Sequence, residues 1–238
     1  MEDFVYWRHP TLPGIKVEEV TEGEDFKGPA WLDMARQIYC ENGRDEYREF
    51  GHFQNGAPFL FGSTARISVT HCAGMLAVAT LPDTPEVQLS EYSDRAALGI
   101  DAERRDREQV LHLRSRFLND SELAMIPADD LLANIMAWTV KEAVYKAAMT
   151  PGLDFRNGIL IDRMPKLGPA VPVYAPKEYD YDGTGRGFGE NDYGKARAVT
   201  PDGQTRDFRL FTYLSDDVVV TLAFSPRCAT FKKSQVRK

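Results

Sequence analysis

The sequence predicts an α+β fold, and three patterns carry that prediction. Residues 131–149 hold the longest helical pattern in the chain, with Leu131, Ile135, Trp138 and Ala143 or Val144 on its apolar side. The segments ARISVTHC and MLAVATL read as two strands around a short Ala73-Gly74 turn. RDFRLFTYL and DVVVTLAF read as a second pair flanking Ser215-Asp216. Helices mixed with hairpins place the chain in the α+β class.

Taken in order, residues 30–40 put Trp31, Ala35, Ile38 and Tyr39 on one helical face, and Asn42-Gly43 stops that helix. After the first hairpin, the stretch from Leu81 to Asp94 is rich in Pro, Ser and acids and reads as a linker. RAALGIDAE follows as a strand, with Leu98, Ile100 and Ala102 on one face and Gly99, Asp101 and Glu103 on the other. Asp106 and Gln109 have capping-box spacing for a helix through about Arg116. Asp129 or Asp130 opens the long helix, and Pro151-Gly152 ends it. Residues 176–194, rich in Gly, Asp and Tyr, read as a long loop or hairpin tip.

A chain of 238 residues can form one large domain or two small ones. Apolar residues make up 43% and charged residues 27%, the balance of a soluble globular protein. The net charge of −7 argues against a general nucleic-acid binder, which carries a basic surplus. No secretory signal and no membrane span is expected from the apolar pattern. Cys40, Cys72 and Cys228 are odd in number and far apart, which reads as reduced thiols in a cytoplasmic protein. The tail from Arg227 to Lys238 carries five Lys/Arg and no acid and reads as a solvated terminus.

Chemistry concentrates in three segments. In GIDAE, Asp101 and Glu103 sit two apart on a strand, so both carboxylates leave one face, roughly 7 Å apart at the backbone. Like charges at that spacing repel unless a cation or proton lies between them. A hard, oxygen-liganded ion such as Mg²⁺ fits; an exposed strand face with ordinary acids is the plain alternative. In WTVKEAVYKA, Glu142 and Lys146 are i and i+4 on one helix face. That spacing suits either a surface salt bridge or a metal ligand beside a phosphate-binding lysine. In SVTHC, Ser68, Thr70 and Cys72 share one strand face and His71 takes the other. Such a histidine can bind an anion, act as a base or cap a core edge.

Together and in this order, these segments resemble the 4'-phosphopantetheinyl transferase superfamily, in particular its larger, monomeric type that activates peptide and polyketide synthetases. That family carries G-[IV]-D-x-E, matched by Gly99–Glu103, and W-[ST]-x-K-E-x-x-x-K, matched by Trp138–Lys146. Its F-x-x-x-x-E segment is matched by Phe117–Glu122, and its G-K-P and S-[IV]-S-H-[ST] segments loosely by Gly56–Pro58 and Ser68–Cys72. The resemblance spans about residues 55–150. It implies transfer of the phosphopantetheine arm of coenzyme A to a serine of an acyl or peptidyl carrier protein, with release of adenosine 3',5'-bisphosphate. It implies Asp101, Glu103 and Glu142 as ligands of Mg²⁺ or Mn²⁺, and Lys146 as the pyrophosphate contact. His71 and Thr70 would meet coenzyme A, with Lys141 in support. Glu142 is the first candidate to take the serine proton, with a metal-bound water or Glu122 as alternatives.

The implied fold is two similar α+β halves related by a pseudo-two-fold axis, each a small antiparallel sheet packed on a long helix. Residues 1–94 would form the first half and 95–238 the second, with coenzyme A between them. Two departures stand out. Ala57 replaces the lysine of G-K-P, for which Arg44, Arg48 or Arg66 could substitute, and Cys72 stands where Ser or Thr is usual. A non-catalytic module that binds coenzyme A or the carrier, and a metal-dependent phosphohydrolase, are the competing readings. Carrier docking is expected near Arg107, Arg114, Arg116 and Phe117, because global charge offers an acidic partner little steering.

Overall fold

The computed structural model describes residues 4–8, 16–20, 50–53, 56–61, 65–81, 97–150, 152–168 and 193–225. The expected helix at 30–40, the linker beyond Leu81, the loop before Tyr193 and the basic tail lie outside the described residues.

Among the described residues the architecture is antiparallel sheet with helix, in agreement with the α+β class. Strands β1 (Phe4–Arg8), β2 (Lys16–Val20), β5 (Arg66–Cys72) and β6 (Met75–Leu81) form a four-stranded sheet in the order β1-β2-β6-β5. A separate two-stranded ribbon pairs β3 (Phe50–His52) with β4 (Pro58–Leu60). The larger sheet takes β7 (Ala97–Arg104), β8 (Ile159–Arg163), β10 (Gly194–Val199), β11 (Thr205–Ser215) and β12 (Val218–Ser225) in the order β7-β12-β11-β10-β8. The short β9 (Leu167–Gly168) joins it in parallel on β11.

Both expected hairpins form where their residues place them. Cys72 pairs with Met75 around Ala73-Gly74, and Gly74 takes φ +84°, a left-handed turn conformation that glycine adopts without strain. The second hairpin turns at Asp216, a non-glycine residue at φ 49°.

Three helices are described: α1 (Gln109–Phe117), α2 (Asp120–Met125) and α3 (Leu131–Ala148). The last is the long helix expected from the sequence. Asp130 caps it by accepting the Ala133 N–H at 2.9 Å, and Met149 closes it in the left-handed region at φ 51°. The capping box expected at Asp106 and Gln109 does not form. The Asp106 carboxylate instead takes Arg104, at 3.0 and 2.7 Å, and the cap of α1 is Glu108, with no side-chain hydrogen bond. A two-residue ion pair held by a turn outcompetes the cap. The reciprocal box appears at the unforeseen α2, where Asn119 accepts from the Glu122 N–H and Glu122 accepts from the Asn119 N–H.

Two apolar clusters lie on opposite faces of the large sheet. Ile135, Val140, Ala143 and Val144 of α3 pack with Val219 and Ala223 of β12 on one side. Leu98, Ile100 and Ala102 of β7 pack with Met75, Ala77 and Ala79 of β6 on the other. Strand β12 is therefore buried along its whole length, and its run VVVTLAF shows no polar alternation. The two sheets also meet edge to edge. Ser68 Oγ accepts the Ile100 N–H at 2.9 Å, and Thr70 Oγ1 accepts the Ala102 N–H at 3.1 Å. These hydroxyls satisfy an edge of β7 that would otherwise hold unpaired backbone donors. No helix among the described residues is long and apolar enough to cross a membrane.

Candidate active site

The site is built where α3 crosses the outer face of β7. Gly99 makes that crossing close, since a Cβ there would lie 2.0 Å from the Ala143 carbonyl oxygen and 2.8 Å from the Ala147 nitrogen. The strand alternation expected from sequence is present. Leu98, Ile100 and Ala102 enter the apolar cluster, while Asp101 and Glu103 face the polar side chains of α3.

Asp101 is nearly buried, at 6% exposure. Its Oδ1 accepts from Lys146 Nζ at 2.7 Å and from Thr70 Oγ1 at 3.2 Å. Its Oδ2 is buried and has no hydrogen-bond partner among the described residues. Lys146 also donates toward the Ile100 carbonyl at 3.1 Å and the Val69 carbonyl at 3.4 Å. Glu103 Oε1 accepts from Trp138 Nε1 at 3.1 Å and forms an ion pair with Arg107. Arg107 lies over the Trp138 ring, 5.6 Å from its centroid. Glu142 is half-buried; burial, and then the charge of Asp101, push its carboxyl pKa up, while Lys146 and Arg107 pull the other way.

The three carboxylates expected to hold a metal are Asp101, Glu103 and Glu142. The same face gathers the three acids, yet among the described residues no three Asp, Glu, His or Cys side chains converge tightly enough to hold an ion. Cations of the chain itself stand at two of them, Lys146 on Asp101 and Arg107 on Glu103. The donor chemistry of the three acids, though not their present spacing, suits a hard divalent ion. Their donors are all carboxylate oxygens, one buried oxygen of Asp101 lacks any partner, and Glu142 is held against a like charge.

Lys141 is placed elsewhere. It is fully buried, paired with Glu122 at 2.7 Å, and donates to the Ile159 carbonyl. Burial lowers its pKa, and the Glu122 hydrogen bond and charge oppose that shift. Lys141, expected to support coenzyme A binding, lies in the core, because a helix turns about 100° per residue and sends Lys141 and Glu142 apart. Glu122 is likewise spent. It accepts from Ile161 N at 2.7 Å and from Asn119 N at 2.9 Å besides pairing Lys141. A carboxylate so fully bonded is no candidate for a proton acceptor.

His71 is exposed on β5. Partial burial, then the Lys146 charge, hold its pKa below the ordinary value, with Asp101 opposing. Cys72 is a free thiol that burial and Asp101 push up to about 11, which makes it inert as a nucleophile. In the expected docking patch Phe117 is core, and Arg114 is bound to Asn134 Oδ1 at 2.6 Å and the Ile126 carbonyl at 2.5 Å. Arg107 is engaged on Glu103, so Arg116 alone of the four is exposed and absent from these contacts.

Beside this cluster lies a cleft of about 240 Å³ between the β3–β4 ribbon, β5 and the end of α3. Phe53, Phe59 and Tyr145 line it together with Arg66 and Lys146, so aromatic walls meet cationic ends. Phe53 and Phe59 stack with centroids 4.6 Å apart. Ala57 lines the same cleft, and so does Arg66, one of the three arginines considered as its substitute; Arg44 and Arg48 lie outside the described residues. Lys146 thus belongs to both the cleft and the carboxylate cluster. Sequence reasoning missed three participants. Trp138 had a signal, being i and i+4 with Glu142, and so had Arg107, four residues after Glu103, although its expected role was carrier docking; the aromatic wall had none.

Residues 97–183 match the family model of the 4'-phosphopantetheinyl transferase superfamily. No curated protein matches the chain.

Proposed function

We propose, from the premise that residues 97–183 belong to the 4'-phosphopantetheinyl transferase superfamily, that this protein moves the phosphopantetheine arm of coenzyme A onto a serine of an apo acyl or peptidyl carrier protein. The observation that carries the reading is Lys146. Its ammonium is bonded to Asp101 on one side and lines the aromatic, cationic cleft on the other, which links an acid cluster to a site suited to a nucleotide phosphate. Two antiparallel sheets joined through Ser68 and Thr70 support the larger, monomeric type. They also support halves at 1–94 and 95–238 related by a pseudo-two-fold axis.

In this reading Asp101, Glu103 and Glu142 hold Mg²⁺ or Mn²⁺. The ion, when bound, neutralises charge that grows on the leaving phosphate. Lys146 turns from Asp101 toward the pyrophosphate and fixes it. Phe53, Phe59 and Tyr145 enclose the rest of coenzyme A, with Arg66 as a phosphate contact in place of the missing lysine at Ala57. His71, exposed on β5, meets the 3'-phosphate, and Thr70, bonded to Asp101 Oδ1 and the Ala102 N–H, steadies the carboxylate beside it. The serine oxygen attacks the phosphorus that carries the pantetheine arm, and the bond from that phosphorus to the bridging oxygen breaks, releasing adenosine 3',5'-bisphosphate. Glu142 is the residue placed to receive the serine proton. The reaction would be cytoplasmic and the enzyme a monomer.

The test is to incubate the protein with coenzyme A, Mg²⁺ and an apo carrier protein and to measure the intact mass of the carrier. A gain of one phosphopantetheine, lost in Asp101→Ala, is expected. Coenzyme A binding with no gain on several carriers would overturn transfer in favour of a binding module. Cleavage of coenzyme A without any carrier would point to a phosphohydrolase.

A further inference from the structure

The cations that neutralise the acid cluster are not equivalent. Lys146 is anchored by two backbone carbonyls as well as by Asp101, so it keeps partners whatever happens to the carboxylate. Arg107 leans on Glu103 and on the face of Trp138. It sits in the short connection between β7 and α1, with its side chain 36% exposed, so it can leave for water at small loss of packing. The Glu103 side chain is only 16% exposed and receives both Arg107 and Trp138 on the same oxygen, Oε1. Oε1 is occupied by those two donors, and the guanidinium charge beside the carboxylate opposes a further cation at either oxygen.

We infer that Arg107 is a counter-ion latch on Glu103, which competes with a divalent ion for that carboxylate and so sets the concentration at which the site loads. The inference rests on the metal reading above and adds a residue that the family motifs do not contain. When Glu103 turns to the ion, the guanidinium is released from the carboxylate and Trp138 loses a charged neighbour from its ring face. Ion binding is therefore coupled to the environment of Trp138. Removing the latch should tighten ion binding, whereas a residue that merely orients Glu103 would weaken it when removed.

The experiment is calorimetric titration of Mg²⁺, and separately Mn²⁺, into the full chain, its Arg107→Gln, Arg107→Lys and Asp101→Asn variants, with tryptophan fluorescence followed in parallel. Arg107→Gln is expected to bind either ion roughly 1.5- to fivefold more tightly, the range of a partly exposed ion pair, with Arg107→Lys between it and the parent. The fluorescence change on loading should shrink in Arg107→Gln, because the ring has already lost its cation. Unchanged or weaker affinity in Arg107→Gln, with binding still abolished by Asp101→Asn, would overturn the latch alone. Absence of ion binding in both the parent chain and Arg107→Gln would overturn the latch and the metal reading together.

Discussion

Lys141 and Glu142 are neighbours in the chain and leave α3 toward opposite regions of the molecule. Lys141 enters the core, where Glu122 and the Ile159 carbonyl meet its charge, and Glu122 in turn accepts from Asn119 and Ile161. Glu142 faces Asp101, whose second oxygen has no partner among the described residues, and its own pKa is pushed up. Both regions hold buried charge. In the first every polar group is answered within the protein; in the second a buried oxygen is left over. A saturated pair ties α2, α3 and β8 together, whereas an unsaturated cluster retains the capacity to bind something else.

The saturated pair is the more sensitive to substitution. Lys141→Ala leaves the Glu122 carboxylate buried without its cation, a loss of about 3–5 kcal/mol by urea unfolding. The double variant Glu122→Gln, Lys141→Met should recover much of it, since Gln keeps an acceptor for the Ile161 N–H. A single variant within about 1 kcal/mol of the parent would contradict the structural assignment. Gly99→Ala tests how closely the two elements must approach. Its Cβ would overlap the Ala143 carbonyl, so a loss of roughly 1–3 kcal/mol is expected together with weaker transfer as α3 lifts from β7.

The smallest effect has the opposite sign. An acid whose folded pKa lies above its unfolded value holds its proton to higher pH when folded. It therefore lowers stability once pH exceeds the unfolded value, and the full penalty stands above the folded one. Glu142→Gln should then raise stability near pH 8 by on the order of 1 kcal/mol or less while abolishing transfer. The gain should fade as pH drops through the folded pKa of Glu142 toward the ordinary carboxylate range. Melting curves at several pH values read this directly, and a Glu142→Gln protein less stable than its parent near pH 8 would remove the contrast between the two regions.

Much of this arrangement was legible in residue order. Alternation in ALGIDAE separates Asp101 and Glu103 from the apolar face, and that separation is the one observed. The helix from Leu131, its Asp130 cap and its end before Pro151 follow from local chemistry, as does the turn at Ala73-Gly74. The capping box at Asp106 failed because an equally local competitor, Arg104, claimed the carboxylate. The short α2 escaped notice because six residues leave too little periodicity to read.

Period and capping are properties of neighbouring residues, and so the sequence by itself determined which side chains share a face and where the main elements begin and end. Its motifs resemble those of the 4'-phosphopantetheinyl transferase superfamily, whose family model matches residues 97–183. Only the tertiary structure decided which charges are answered. Glu122 reaches Lys141 across nineteen positions, Asp101 reaches Lys146 across forty-five, and Trp138 reaches Glu103 across thirty-five. Such pairings depend on how closely Gly99 lets α3 approach β7 and on how Ser68 and Thr70 join two sheet edges. Whether a given lysine binds a phosphate or fills a core is a matter of burial and partners, and those arise only when distant segments pack.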